Sequence, residues 1–124
     1  VPTSPGQAAT VNGFGAIFTD VDATDSTRIE FYAEGGALLR NVLVPASPDG
    51  GLSFLGVHFP DGERVERVRI FSGNTALGAG VIDGPGRDVV AMDDFFYGEP
   101  QPIPAPGAAA LLAVGLFAGT RRRR

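Results

Sequence analysis

Before residue 98, polar and apolar positions alternate with a period of two in several short runs, as strands with one buried face require. Ile29, Phe31 and Ala33 fall on one side of such a run, and Arg28, Glu30 and Tyr32 on the other. Val68 and Ile70 likewise oppose Arg67, Arg69 and Phe71. The pattern predicts strands over residues 13–21, 27–33, 37–44, 52–59, 64–72, 76–82 and 87–98. Residues 52–59 (LSFLGVHF) are apolar on both sides, which predicts a central strand covered on both faces. Turn chemistry separates the runs: Gly35 and Gly36, Pro48-Asp49-Gly50-Gly51, Pro60-Asp61-Gly62, Ser72-Gly73-Asn74 and Asp83-Gly84-Pro85-Gly86. No helical period competes. The expected fold is all-β: an antiparallel β-sandwich. The chain starts at Val1, and we read residues 1–98 as the C-terminal part of a longer ectodomain, the sandwich being incomplete if strands lie upstream.

From Glu99 the pattern changes. Residues 99–107 form a proline-rich, extended spacer, and residues 108–120 carry no charge at all. Arg121, Arg122, Arg123 and Arg124 close the chain. As a helix, residues 108–119 would span about 18 Å, short of a hydrocarbon core of about 30 Å, so insertion in lipid is expected to be marginal. Pro104 and Pro106 keep that helix from starting earlier. The four Arg resist translocation, so the topology expected is β-domain outside and Arg cluster in the cytoplasm.

Charge sharpens this division. All fourteen acidic residues lie at or before Glu99 and face only six of the ten Arg, a net of −8 for that part against −4 for the whole chain. An acidic body argues against nucleic-acid binding, which needs clustered cations on the folded domain. With no Cys, disulfides and thiolate metal sites are excluded.

Residues 103–124 (IPAPGAAALLAVGLFAGTRRRR) resemble the PEP-CTERM sorting signal of Gram-negative and related bacteria, with Ile103, Pro104, Ala105 and Pro106 in the place of its Val-Pro-Glu-Pro motif. Ala105 stands where that motif has Glu. Stretches such as GFGAIFTDVD and VVAMDDFFYGE are similar to segments that recur in the ectodomains of such proteins, a resemblance that implies a jelly-roll-like sandwich. The resemblance implies a non-enzymatic protein that is exported and held transiently in the inner membrane. It further implies cleavage near the proline motif by an exosortase-type enzyme, then delivery to the cell surface or extracellular matrix.

Candidate sites remain within the β-domain. Asp20, Asp22 and Asp25 form the densest carboxylate run, and with Asp94 they are candidate ligands for Ca²⁺, which takes six to eight oxygens. Asp93 and Asp94 are adjacent in the last strand, so one of them should face inward. His58, the only histidine, shares a strand face with Leu52, Phe54 and Gly56, which favours a packed structural role. Arg28, Tyr32, Arg67 and Arg69 could together grip an acidic extracellular polysaccharide. Two other function classes therefore stand beside the sorted surface protein: a calcium-supported carbohydrate-binding module, and a secreted hydrolase fragment needing His58 or an acid pair in a cleft. No Gly-x-Ser-x-Gly elbow supports the latter.

Overall fold

The computed structural model describes residues 6–104 and residue 107. The expected helix over residues 108–119 and the Arg cluster at 121–124 lie outside the described residues, as do Ala105 and Pro106. Among the described residues no helix is long and apolar enough to cross a membrane.

Among the described residues the β-period of the sequence is realised in eight strands: β1 (Ala9–Thr10), β2 (Gly13–Thr19), β3 (Arg28–Ala33), β4 (Leu38–Leu43), β5 (Leu52–His58), β6 (Val65–Phe71), β7 (Ala91–Tyr97) and β8 (Gln101–Pro102). They form two three-stranded antiparallel sheets, ordered β5-β2-β7 and β4-β3-β6, with a separate β1-β8 pair. Alternation decides what each sheet buries. Ala16 and Phe18 of β2 and Ile29 and Phe31 of β3 are fully buried, joined by Leu55, Val65 and the loop residues Val21, Val44, Phe59 and Val90. Phe31 meets the edge of Phe59, ring centroids 5.7 Å apart. Burying each large side chain of this kind stabilises the fold by about 1.5–3 kcal/mol.

Three expectations need correction. Residues 76–82 form no strand: Val81 N–H turns back to the Gly78 carbonyl, Gly80 has φ 76°, and Leu77, Val81 and Ile82 are exposed. Two glycines in seven residues leave too little side chain to hold a ladder. Second, β5 is an edge strand, and β2 takes the centre of that sheet. Leu52 and Phe54 consequently lie 68% and 58% exposed on its outer side. Apolar character on both faces marked a surface patch, not a covered strand. Third, neither Asp93 nor Asp94 faces inward. The register of β7 against β2 shifts between Gly15 and Ile17, and Asp94 adopts φ 49° with its N–H on the Asp93 carboxylate at 2.8 Å. A bulge breaks the alternation on which an inward carboxylate depends.

The first residues of the spacer belong to the fold. Gln101 and Pro102 pair with Thr10 and Ala9, and Ile103 N–H bonds the Ala8 carbonyl at 2.9 Å. Val11 bridges Val65, and Gly98 N–H bonds the Gly13 carbonyl, so both ends of the described chain meet at the Gly13 end of β2. Asp20 follows the other end. Seven strand residues separate the two by about 20 Å.

Candidate functional site

The loops beyond Thr19 bring four carboxylates together. Asp20 (φ 64°) leaves β2 with its N–H on the Gly51 carbonyl at 2.9 Å, and its Oδ1 accepts the Gly50 N–H at 2.7 Å. These bonds fold the β4–β5 loop, which carries Asp49, onto the end of β2. Asp22 follows the buried Val21. Asp83 comes from the long β6–β7 loop, its Oδ1 accepting the Val89 N–H at 3.1 Å. One ligand oxygen from each of Asp20, Asp22, Asp49 and Asp83 lies within 4.8 Å of the others. Calcium–oxygen distances are about 2.3–2.6 Å, so oxygens on opposite sides of one Ca²⁺ stand about 5 Å apart. The spacing therefore suits a single hard cation, with loop carbonyls or water completing its shell.

Electrostatics reflect the crowding. The Asp22 pKa is raised from the ordinary 3.8 to about 6, first by loss of water around its carboxyl, then by its contact with Asp83 and by the charges of Asp20, Asp83 and Asp49. The only ion pair among the described residues, Arg28 to Glu30, is on a different strand face.

Of the four candidate calcium ligands, Asp20 and Asp22 join this cluster. Asp25, exposed in the turn before β3, and Asp94, on the β7 bulge, do not. Asp49 and Asp83 complete it instead. Both precede a glycine in strong turn sequences, Pro48-Asp49-Gly50 and Asp83-Gly84-Pro85, where an Asp is ordinarily a turn acid. Only the tertiary docking of two loops brings them beside Asp20 and Asp22.

Asp88 holds those loops in place. It is 1% exposed, and its carboxylate accepts the Asp22 N–H at 3.1 Å and the Ser26 hydroxyl. Its own N–H bonds Asn74 Oδ1 at 2.8 Å, and its carbonyl accepts the N–H groups of Asn74 and Thr75. Sequence reasoning missed it, because Arg87-Asp88 before an apolar run reads as a solvated strand start.

Arg28, Tyr32, Arg67 and Arg69 do share one surface. Across β3 and β6, Arg28 lies opposite Phe71, Glu30 opposite Arg69 and Tyr32 opposite Arg67. The Tyr32 hydroxyl donates to Glu30 Oε2 at 2.5 Å. That bond, ahead of the nearby Arg28, lowers the Glu30 pKa, and the same bond raises that of Tyr32.

His58 departs from the packed role expected of it. The face it shares with Phe54 and Gly56 is the outer one, and the exposed ring lies 3.3 Å from the Asn12 amide nitrogen. Phe54, Phe96 and Tyr97 form a shallow apolar groove around it, floored by Gly13, Gly15 and Gly56. No Ser or carboxylate lines that groove, so His58 has no nucleophile or orienting acid beside it there.

No protein-family model matches this chain, and no curated protein or solved structure matches it. Fold and site together define a small acidic β-sandwich with carboxylates gathered at one end and guanidiniums on one outer face.

Proposed function

We propose that this chain is an exported, non-enzymatic cell-surface or extracellular-matrix protein: a jelly-roll-like β-domain followed by a transient, PEP-CTERM-like sorting anchor. The observation that carries this reading is the order of the last segments: a proline-rich spacer, an uncharged apolar run too short for a comfortable span, and four terminal Arg. The course of the chain is compatible with such an anchor. The last backbone bond toward the tail among the described residues, Ile103 N–H to the Ala8 carbonyl, lies at the end of β2 remote from the acidic loops, so an anchor following it would leave the carboxylate cluster at the far end of the domain.

Expression in a host containing an exosortase-type enzyme tests the proposal. Mass spectrometry of the mature product should find it shortened near Pro104 and Pro106, without Arg121, Arg122, Arg123 and Arg124. Replacing those four by Gln should impair sorting before it affects folding of the β-domain. A surface product with an intact C-terminus would overturn the processing step.

A second reading, favoured by the cluster of Asp20, Asp22, Asp49 and Asp83, is that the domain takes up Ca²⁺ on reaching a calcium-containing exterior. The ion would neutralise crowded carboxylates and clamp the β4–β5 and β6–β7 loops to the end of β2.

A further inference from the structure

The charges of this domain are segregated. Fourteen carboxylates and six Arg precede residue 100, yet among the described residues only Arg28 and Glu30 come within ion-pair distance. Three of those six Arg stand instead on the outer face of β3 and β6. Their guanidiniums rest on aromatic rings: Arg28 lies 3.5 Å and Arg69 4.6 Å from the centroid of Phe71, and Arg67 lies 4.4 Å from that of Tyr32. Glu30 commits both carboxylate oxygens within the cluster, one to the Tyr32 hydroxyl and one to Arg28 Nε at 3.5 Å. Among the described residues no carboxylate lies within 4.0 Å of the Arg67 or Arg69 guanidinium.

We propose that this face binds a linear, carboxylated polysaccharide running along β6. A guanidinium stacked on a ring has lost much of its rotamer freedom before any ligand arrives, while its in-plane N–H groups still point outward to meet a carboxylate. Arg67 and Arg69 are two residues apart on one strand face, about 7 Å along its axis, which suits a polymer with regularly spaced charges. Leu38 and Leu43 of β4, 55% and 50% exposed opposite Tyr32 and Arg28, give the C–H faces of sugar rings something to pack on.

Two other anionic partners fit less well. Insertion into a lipid surface needs protruding aromatic groups, whereas Tyr32 and Phe71 are half-buried beneath the arginines. Double-stranded nucleic acid carries one charge per about 1.7 Å of its axis, far more densely than two guanidiniums about 7 Å apart can match. This binding names a ligand for the exported domain, and neither tail cleavage nor calcium is needed for it.

The test uses the full chain in detergent micelles, with R121Q, R122Q, R123Q and R124Q in every sample so that the tail contributes no polyanion affinity. Immobilised alginate, without calcium, is compared with neutral dextran and with vesicles containing phosphatidylglycerol. Binding to alginate that weakens steeply with salt is expected. It should fall at least tenfold in Arg67→Gln/Arg69→Gln, with the domain still folded at the assay temperature by its melting curve, and little in Arg87→Gln. Equal binding to alginate and dextran would overturn the proposal. So would retention of alginate binding in the double variant, no alginate binding at all, or binding to the vesicles alone.

Discussion

The carboxylate of Asp88 accepts the backbone N–H of Asp22 at 3.1 Å across 66 residues of sequence, tying the β2–β3 connection to the end of the β6–β7 loop. The same carboxylate takes the Ser26 hydroxyl, and Asp88 is 1% exposed, so water cannot easily replace either bond. Asp88→Ala leaves the Asp22 N–H without its acceptor and the Ser26 hydroxyl with only longer contacts, to the Ala23 carbonyl at 3.3 Å and Thr27 Oγ1 at 3.4 Å. Such a loss typically costs about 1–3 kcal/mol per buried group. Chemical denaturation should place Asp88→Ala at least roughly 2 kcal/mol below the parent chain, with Asp88→Asn between the two. An unchanged midpoint would show that the loops are held by other contacts.

Gly73 sits against the same residue from the other side. It has φ 63°, and a Cβ there would stand 2.2 Å from the Asp88 carbonyl oxygen, a backbone atom that cannot swing away. Gly80 has φ 76°, but a Cβ added there would meet nothing within 4 Å. Both substitutions to Ala force a side chain onto a left-handed backbone, which costs about 1–2 kcal/mol. Gly73→Ala must also push the 88–90 segment aside, so its melting temperature should fall several degrees further than that of Gly80→Ala. Equal losses would mean that the clash is relieved without cost.

Acid and calcium should act on the same carboxylates. Asp22 has a folded pKa of about 6 against an ordinary 3.8, so its ionised form is the one the fold disfavours. The penalty is complete above pH 6, and relief grows as pH falls toward 3.8. Glu30 works in the opposite sense: its pKa is lowered from 4.5, so its contribution disappears only on further acidification. In chelator, the melting temperature should therefore rise between pH 7 and about pH 5. Millimolar Ca²⁺ should raise it at pH 7 and less at pH 5, where protons compete for the ligands. Coincident melts with calcium and chelator at pH 7 would remove the calcium reading. If calcium acts through the cluster, Asp83→Asn should abolish the shift while Asp25→Asn leaves it intact.

Short β-type runs between turn residues were enough to identify six of the strands, and period two gave the inward residues Ile29, Phe31, Val68 and Ile70, because β3 and β6 each keep one face toward the core. Alternation cannot say which strand is central, and β5 shows why: Leu52 and Phe54 look like core residues until β2 occupies the middle of the sheet. The arginine face was legible, since Arg67 and Arg69 share a strand side and only the pairing with Tyr32 and Arg28 had to follow. The carboxylate cluster was half legible. Asp20 and Asp22 are neighbours in sequence, whereas Asp49 and Asp83 reach them only through loop docking, which has no local signature.

Phe54 and Phe96 show how an exposed apolar face can still contribute to the sheet. They flank β2 from its two neighbouring strands, and their rings meet edge to face with centroids 6.1 Å apart. No side chain rises between them, because Gly15 lies opposite Phe96 and Gly56. The Phe54 ring occupies the space above Gly56, where an added Cβ would lie 2.7 Å from its Cζ. An aromatic side chain folded over cross-strand glycines restores packing that those glycines lack. Phe54→Ala and Phe96→Ala should each destabilise the domain by about 1 kcal/mol despite exposures of 58% and 52%. Their effects should not add: a double-mutant cycle is expected to give a coupling of about 0.5–1.5 kcal/mol, the range for an aromatic pair. Additive losses would mean that the two rings pack independently. The same face then supplies a second check, since Gly56→Ala must evict the Phe54 ring. That variant should lose stability in the parent chain and much less of it in a Phe54→Ala background, where the space above Gly56 is already clear.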